Sequence, residues 1–189
     1  MSLKSHAPKA FIEGWSRAFG EVAAAGWLLR EAFPQRWLRF HALPGSKRCP
    51  ETVEEHLEVL HRLLVLGDEL FGNGKRVWQV QDQDWCDPAS LNWREPAQGF
   101  FMQTRDEDGM DGLHLRVDIS RPHWPPPDLP ELARQIAMDR VRALFVDLQS
   151  ERVLAPYDGD FDLICASPDD LPVVRERHRA WLSEHPLGL

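Results

Sequence analysis

Three aspartates at alternate positions near the end of the chain have a spacing that could bind a metal ion. Asp158, Asp160 and Asp162 form an Asp-x-Asp-x-Asp pattern, and two carboxylates on one strand face can hold Mg²⁺. The pattern differs from a calcium-binding loop, because Leu163 follows directly and no glutamate closes the loop. The dipeptide Asp158-Gly159 is also typical of a two-residue hairpin turn, in which both central residues need a positive φ. We therefore predict a structural turn and no metal site, and keep Asp158 and Asp160 as candidates for a functional surface.

A second group of reactive side chains lies on one predicted strand and in the loop that follows it. Arg39 and His41 alternate along the strand, and Lys47 and Arg48 follow in a loop of turn-forming residues before Thr52. Two cations beside a helix N-terminus can bind an anion, and a histidine there could carry a proton. The phosphate-loop pattern Gly-x-x-x-x-Gly-Lys-Ser/Thr is absent. We predict a charged surface loop, with an anion-binding site at Arg39, His41, Lys47 and Arg48 as the alternative.

The chain carries no residue pattern typical of an established catalytic centre. It lacks Gly-x-Ser-x-Gly and Gly-x-Gly-x-x-Gly, and no histidine pair has the spacing of a zinc hydrolase. Cys49, Cys86 and Cys165 are isolated and odd in number, which fits thiols in a reducing cytoplasm better than a disulfide framework. We therefore predict a cytoplasmic protein with no catalytic residues and no cofactor.

Charge and tryptophan content favour a protein partner. The net charge of −8 argues against binding to nucleic acid or to an anionic membrane, and the most apolar stretch, residues 22–29, is far shorter than a membrane-spanning helix. Eight tryptophans require a core or a binding surface that removes several of them from water. We predict a partner-binding surface with tryptophan anchors and acidic steering residues, namely Trp85, Trp93, Trp124, Asp106, Glu107, Asp108 and Asp111.

The elements that must position these residues predict an α+β fold, with one largely antiparallel sheet and helices packed on a face. Three apolar runs between residues 143 and 166 are separated by turns, and Ser167 then opens a helix. The chain should therefore close in a β-meander followed by a helix. We treat residues 1–189 as a single domain, with a helical region over 1–34 and an α+β core over 35–189.

The helix that we expect with most support begins at a capping box. Thr52 is followed three residues later by Glu55, so each side chain can bond the other residue's backbone N–H. Apolar residues then recur at helical spacing at Val53, Leu57, Leu60, Leu64 and Phe71. We expect this stripe to face the core.

Two segments resemble an uncharacterised family of bacterial domains. RFHALPGSKRCPE at residues 39–51 is similar to a Leu-Pro-x-Ser-Lys-Arg-Tyr-Pro segment of that family, and APYDGDFDLICASP with the closing WLSEHPLGL is similar to its Tyr-Asp-Gly-Gly-like turn and final Trp-Leu helix. Cys49 stands where the family has an aromatic residue, and Asp160 where it has the second glycine. The family brings no activity to this chain. The resemblance implies a shared surface at Lys47, Arg48, Tyr157 and Asp158.

These observations lead to two specific hypotheses of function and to a third, general one, a structural subunit of a larger assembly; they leave the oligomeric state open. The favoured one is a non-enzymatic cytoplasmic protein-binding domain of the immunity type, which neutralises a toxin partner. The alternative is a small enzyme for an anionic or phosphorylated substrate, in which Lys47 and Arg48 bind the anion, His41 moves protons, and Asp158 and Asp160 hold a divalent metal. The alternative requires the loop after the first strand to meet the hairpin turn in space.

Overall fold

A seven-stranded antiparallel sheet forms the centre of the protein in its computed structural model, which describes residues 8–83, 100–105 and 113–182, with the side chains of residues 8–81 and 118–182. The strands are β1 (Trp37–His41), β2 (Trp78–Gln83), β3 (Phe100–Arg105), β4 (Leu113–Ser120), β5 (Arg142–Asp147), β6 (Arg152–Tyr157) and β7 (Asp160–Ile164). They lie in the order β1-β7-β6-β5-β2-β4-β3, and every neighbouring pair is antiparallel. The predicted α+β class and the closing meander are confirmed.

Five α-helices within the described ranges cover this sheet. They are α1 (Lys9–Phe19), α2 (Gly26–Ala32), α3 (Val53–Phe71), α4 (Leu129–Ala137) and α5 (Leu171–Arg177). The predicted packing of helices against the sheet is confirmed, and the structure adds that both faces are covered. None of the described helices has the length and apolar character that crossing a bilayer would require.

One face of the sheet packs against α3, α4 and α5. Strand residues of alternating position point toward these helices, because successive side chains of a strand face opposite sides. Fully buried members of this core come from β1, β5, β6, β7 and α3, and include Phe40, Phe145, Leu154, Phe161, Leu163, Leu63 and Leu66. This is the larger of the two cores.

The opposite face packs against α1 and α2 through aromatic side chains. Phe11, Trp15 and Phe19 lie along the buried side of α1, each at most 6% exposed. Phe11 meets Trp78 of β2 edge to face, with 5.4 Å between ring centroids. The Trp15 indole N–H donates to the Val22 carbonyl oxygen at 2.7 Å, so its one polar atom is satisfied inside the packing.

The start of α3 matches its sequence signal, whereas its buried side matches the prediction only in part. The Thr52 hydroxyl accepts from the Glu55 backbone N–H at 3.2 Å, and the Glu55 carboxylate accepts from the Thr52 N–H at 3.3 Å. Val53 and Leu57 are 70% and 59% exposed, so the expectation that they face the core is wrong. Phe71 is buried as expected, and Leu60 and Leu64 pack against the core while partly buried. The other buried residues of the helix include Val59, Leu63, Leu66 and Leu70.

Trp124 lies in the larger core above a glycine of α3. Its side chain is 1% exposed and meets Phe71 and Phe145 edge to face, at centroid distances of 5.5 Å and 5.1 Å. The indole N–H donates to Asp68 Oδ1 at 2.9 Å. A Cβ atom at Gly67 would overlap the indole ring, so only glycine permits this approach. Trp124 therefore cannot act as the surface anchor that we predicted.

An ion pair between the exposed Lys75 and the buried Asp147 lies beside the turn between β5 and β6. Lys75 Nζ lies 2.6 Å from Asp147 Oδ2, and the Gln149 backbone N–H donates to Asp147 Oδ1 at 3.1 Å. Burial by itself would raise the pKa of Asp147, but the hydrogen bonds from Lys75 and Ser150 lower that pKa below its ordinary value. The folded structure therefore stabilises the charged form of the Asp147 carboxylate.

Candidate functional site

The loop after β1 and the β6–β7 hairpin turn meet at one end of the sheet. The Ala42 backbone N–H donates to the Gly159 carbonyl oxygen at 2.7 Å, and Arg48 forms an ion pair with Asp158. Gly159 is the central turn residue with a positive φ, +90°, and a Cβ there would lie 3.0 Å from Arg48 Cγ. A two-residue turn is confirmed, although only its second residue has the positive φ that we expected of both. We call residues 41–48 with 157–160 the loop–turn surface.

Three polar side chains of the loop–turn surface form a hydrogen-bonded relay. His41 ends β1 and Asp160 begins β7, and the strand register places them side by side. His41 Nδ1 lies 2.6 Å from Asp160 Oδ1, and His41 Nε2 lies 3.0 Å from Ser46 Oγ. The His41 and Asp160 side chains are 12% and 18% exposed, whereas Ser46 is exposed. The relay therefore runs from a half-buried carboxylate to a hydroxyl at the surface.

The backbone of the loop holds Ser46 in an uncommon conformation. Gly45 has φ +66° and Ser46 has φ +57°. A residue with a side chain rarely adopts the left-handed region, and such strain persists only where the surroundings impose it. The hydrogen bond to His41 is one such constraint on Ser46.

The two loop cations that we considered for anion binding are already paired with carboxylates. Lys47 Nζ lies 2.7 Å from Glu55 Oε1 and 3.1 Å from Glu51 Oε2. Its hydrogen bond lowers the pKa of Glu55 below the ordinary value. Arg48 holds Asp158 through its Nε atom, with 74% of its side chain exposed. An added anion would have to compete with these carboxylates.

Arg39, the third candidate cation, is buried on the face that α2 covers. It is 8% exposed and donates to both Asp162 oxygens, at 2.9 Å and 3.3 Å. Its guanidinium lies 5.3 Å from the Trp37 ring centroid and 5.1 Å from that of Tyr157, and Arg30 of α2 lies 3.7 Å from the same carboxylate. Burial, with the Asp162 charge, raises the pKa of Tyr157. Arg39 therefore stabilises the interior, and its guanidinium is not presented to a ligand at the surface.

The aspartates of the turn each have a protein partner. Asp158 pairs with Arg48, Asp160 with His41, and Asp162 with Arg39. Across the residues that the structure describes, no three side chains of His, Cys, Asp or Glu gather as metal ligands would. The geometry of the turn accordingly gives no support to the divalent metal of the alternative hypothesis.

The predicted partner-binding surface falls on residues about which the structure says nothing, with one exception. Trp85, Trp93, Asp106, Glu107, Asp108 and Asp111 lie outside the described residues. Trp124 is described and lies in the core. The anchors and steering residues other than Trp124 remain predictions.

A different exposed surface lies at the start of α3, and the sequence analysis assigned its two apolar residues to the core. Val53 and Leu57 are four residues apart and therefore neighbours on the helix, and both are more than half exposed. Glu54 beside them is exposed, and the Glu51 side chain is 77% exposed. We call Glu51, Val53, Glu54 and Leu57 the α3 outer surface. It combines apolar side chains with negative charge.

Ser46 was absent from the residues that we singled out. It lies in the Leu-Pro-x-Ser-Lys-Arg segment, to which we assigned no catalytic role, and its contact with His41 depends on the Pro44–Ser46 turn. The sequence signal was the turn-forming Pro-Gly-Ser run two residues after a strand that carries a histidine.

Comparison with known proteins identifies a family but no activity. No curated protein matches the chain, and no solved structure matches it. The model of a domain of unknown function, DUF3885, matches residues 25–186. This match spans most of the 189 residues and leaves α1 outside. It confirms the expected membership of an uncharacterised domain family. The chain belongs to the DUF3885 family of domains of unknown function.

Proposed function

We propose that this protein is a cytoplasmic protein-binding domain of the immunity type, which holds and neutralises a basic toxin partner. The observation that carries the proposal is the exposure of Val53 and Leu57 on adjacent turns of α3, at 70% and 59%. Branched aliphatic side chains lose favourable free energy when they remain in water, about 25 cal/mol for each Å² of apolar area. Apolar patches with a polar border mark protein-binding sites, and in this proposal the exposed pair forms part of such a patch.

Charge complementarity selects a basic partner. The chain has a net charge of −8, and exposed Glu54 lies beside the apolar pair on the α3 outer surface, whereas the charge of Glu51 is paired with Lys47. Complementary charge accelerates encounter and excludes partners of the same sign. In this proposal further residues contact the same partner. Two are the tryptophan anchors Trp85 and Trp93, and the others are the acidic steering residues Asp106, Glu107, Asp108 and Asp111.

Two further features support a binding role over the anion-dependent enzyme. Lys47 and Arg48 are neutralised by carboxylates of the chain itself, and Arg39 is buried in an ion pair.

The described cysteines are free thiols, with Cys49 exposed and Cys165 buried, which supports the reducing compartment of the proposal.

The proposal is tested by capture with matched variants in lysate of the native cell at low salt. We expect the wild-type protein and Val173→Ser to retain one basic protein, and the double variant Val53→Ser/Leu57→Ser to lose it by at least about tenfold. Val173 is a suitable control, because it is an exposed aliphatic residue of α5, 57% exposed, away from the α3 outer surface.

A second step tests the immunity role. The retained protein should arrest growth when it is produced alone, and co-production of the wild-type chain should restore growth. Equal retention by the wild type and the double variant would refute the assigned surface. A retained protein that has no effect on growth would refute the immunity role.

A further inference from the structure

We propose that Ser46, His41 and Asp160 form a hydrolytic site for activated acyl esters, with Ser46 Oγ as the nucleophile. This inference goes beyond protein binding and rests on different side chains from the α3 outer surface. It requires no partner protein. Its test can therefore succeed or fail whatever the fate of the binding proposal.

The hydrogen bonds of the relay set the protonation that nucleophilic attack needs. Asp160 is a carboxylate 2.6 Å from His41 Nδ1, so the Nδ1–H tautomer is favoured and the lone pair of Nε2 faces outward. Ser46 Oγ lies 3.0 Å from that Nε2. In this tautomer the serine hydroxyl donates to Nε2, which is the arrangement of a serine with its general base and the carboxylate that orients it.

The strands hold His41, the general base, more firmly than the loop holds Ser46, the nucleophile. His41 and Asp160 stand opposite each other on two hydrogen-bonded strands, and their side chains are mostly covered. Ser46 projects from a loop in which Pro44, Gly45 and Ser46 are all exposed. Serine nucleophiles of hydrolases likewise stand on tight turns that present the hydroxyl, and backbone strain of this kind clusters at functional positions.

The reaction balances with these residues and water alone. Ser46 Oγ forms a bond to the acyl carbon while its proton passes to His41 Nε2, and Asp160 stabilises the imidazolium. The ester bond breaks, and the leaving group departs as an alcohol or thiol with that proton. Water then attacks the acyl-serine, His41 takes and returns its proton, and the carboxylic acid leaves.

The exposed position of Ser46 limits the substrate class. The loop offers no enclosure around the hydroxyl, so we expect acyl groups on good leaving groups, such as aryl esters and thioesters, in which the intermediate needs little extra stabilisation. Amide bonds, which depend on strong stabilisation of the oxyanion, should not be cleaved.

The test is covalent labelling of the full chain with an alkyl fluorophosphonate, read by intact mass and peptide mapping. Ser46 Oγ would displace fluoride from phosphorus, and the hydroxyl proton would pass to His41. We expect one phosphonyl group per wild-type chain, at Ser46, and the same label on Ser16→Ala, which removes an exposed serine of α1 without a relay. Ser46→Ala should not be labelled, and Asp160→Asn should be labelled at least about tenfold more slowly.

Hydrolysis of p-nitrophenyl acetate should follow the same order among the variants, with thermal melting as the control for folding. An unlabelled wild-type protein would overturn the proposal. Labelling of Ser46 at equal rates in the wild type, His41→Ala and Asp160→Asn would also overturn it, since the hydroxyl would then be accessible but not activated.

Discussion

Replacement of Gly67 by alanine should destabilise the protein, although the same change in most helices would stabilise it. Alanine is favoured over glycine in a helix interior by about 1 kcal/mol. At Gly67, however, the new Cβ would lie 2.5 Å from Trp124 Cη2 and closer still to two other indole atoms, whereas ordinary contact begins near 3.4 Å. The indole would have to move by about 1 Å or more.

The surroundings of Trp124 make that movement costly. The ring is 1% exposed, and its N–H bond to Asp68 and its two aromatic contacts depend on its position. Overpacking costs about 1–3 kcal/mol, and the weakening of the hydrogen bond and of the two aromatic pairs adds about 2 kcal/mol in total. After the helix propensity is subtracted, we expect Gly67→Ala to lower the free energy of unfolding by about 2–4 kcal/mol.

Urea unfolding measures this change, and Gly14→Ala in α1 is the matched control. The Cβ there would lie 2.9 Å from Leu148 Cδ1, the end of a flexible side chain, so the control should change stability by less than about 1 kcal/mol. For a chain of this length, Gly67→Ala should also lower Tm by about 5–15 °C. A Gly67→Ala protein as stable as the wild type would show that the indole can move without cost, and would refute the reasoning.

Three further changes test other parts of the interior. Asp162→Ala leaves Arg39 buried without its carboxylate and should cost about 3–5 kcal/mol in urea unfolding, whereas Arg39→Met/Asp162→Leu should cost less; equal losses would contradict the account. Because the folded-state pKa of Asp147 is lowered, its contribution to stability is present above its ordinary pKa and is lost as the pH falls through the folded value. The urea concentration at the midpoint of unfolding should therefore fall less in Asp147→Asn than in the wild type when the pH is lowered from 7 to below the ordinary pKa of aspartate. Burial raises the pKa of Cys165 to about 11, so iodoacetamide at pH 8 should modify the exposed Cys49 and leave Cys165 until urea unfolds the chain, and early modification of Cys165 would contradict its burial.

Local signals predicted those parts of the fold that neighbouring residues decide. The capping box of Thr52 and Glu55 and the turn at Asp158-Gly159 involve residues at most three positions apart, and both formed where we expected them. The buried side of α3 was not predictable in this way. The helix carries apolar residues on two adjacent stripes, and the position of the sheet, which the helix sequence does not contain, decides that the stripe beginning at Val59 is buried.

The relay depended on contacts that no local pattern reveals. His41 and Asp160 are 119 positions apart, and they meet because β1 pairs with β7 at the edge of the sheet. The sequence did identify both residues as chemically active. It did not identify Ser46, and it assigned Arg39 to a surface because alternation along a strand cannot tell a solvent-facing side from one that a helix covers.

The aromatic side of α1 has a consequence for any shortened form of this chain. The matched region begins at residue 25, yet Phe11, Trp15 and Phe19 before it supply much of the cover over one face of the sheet. The family match therefore begins after α1, although α1 is part of the packed core of this chain. Trimming this chain to the family boundary should leave an apolar sheet face open to self-association.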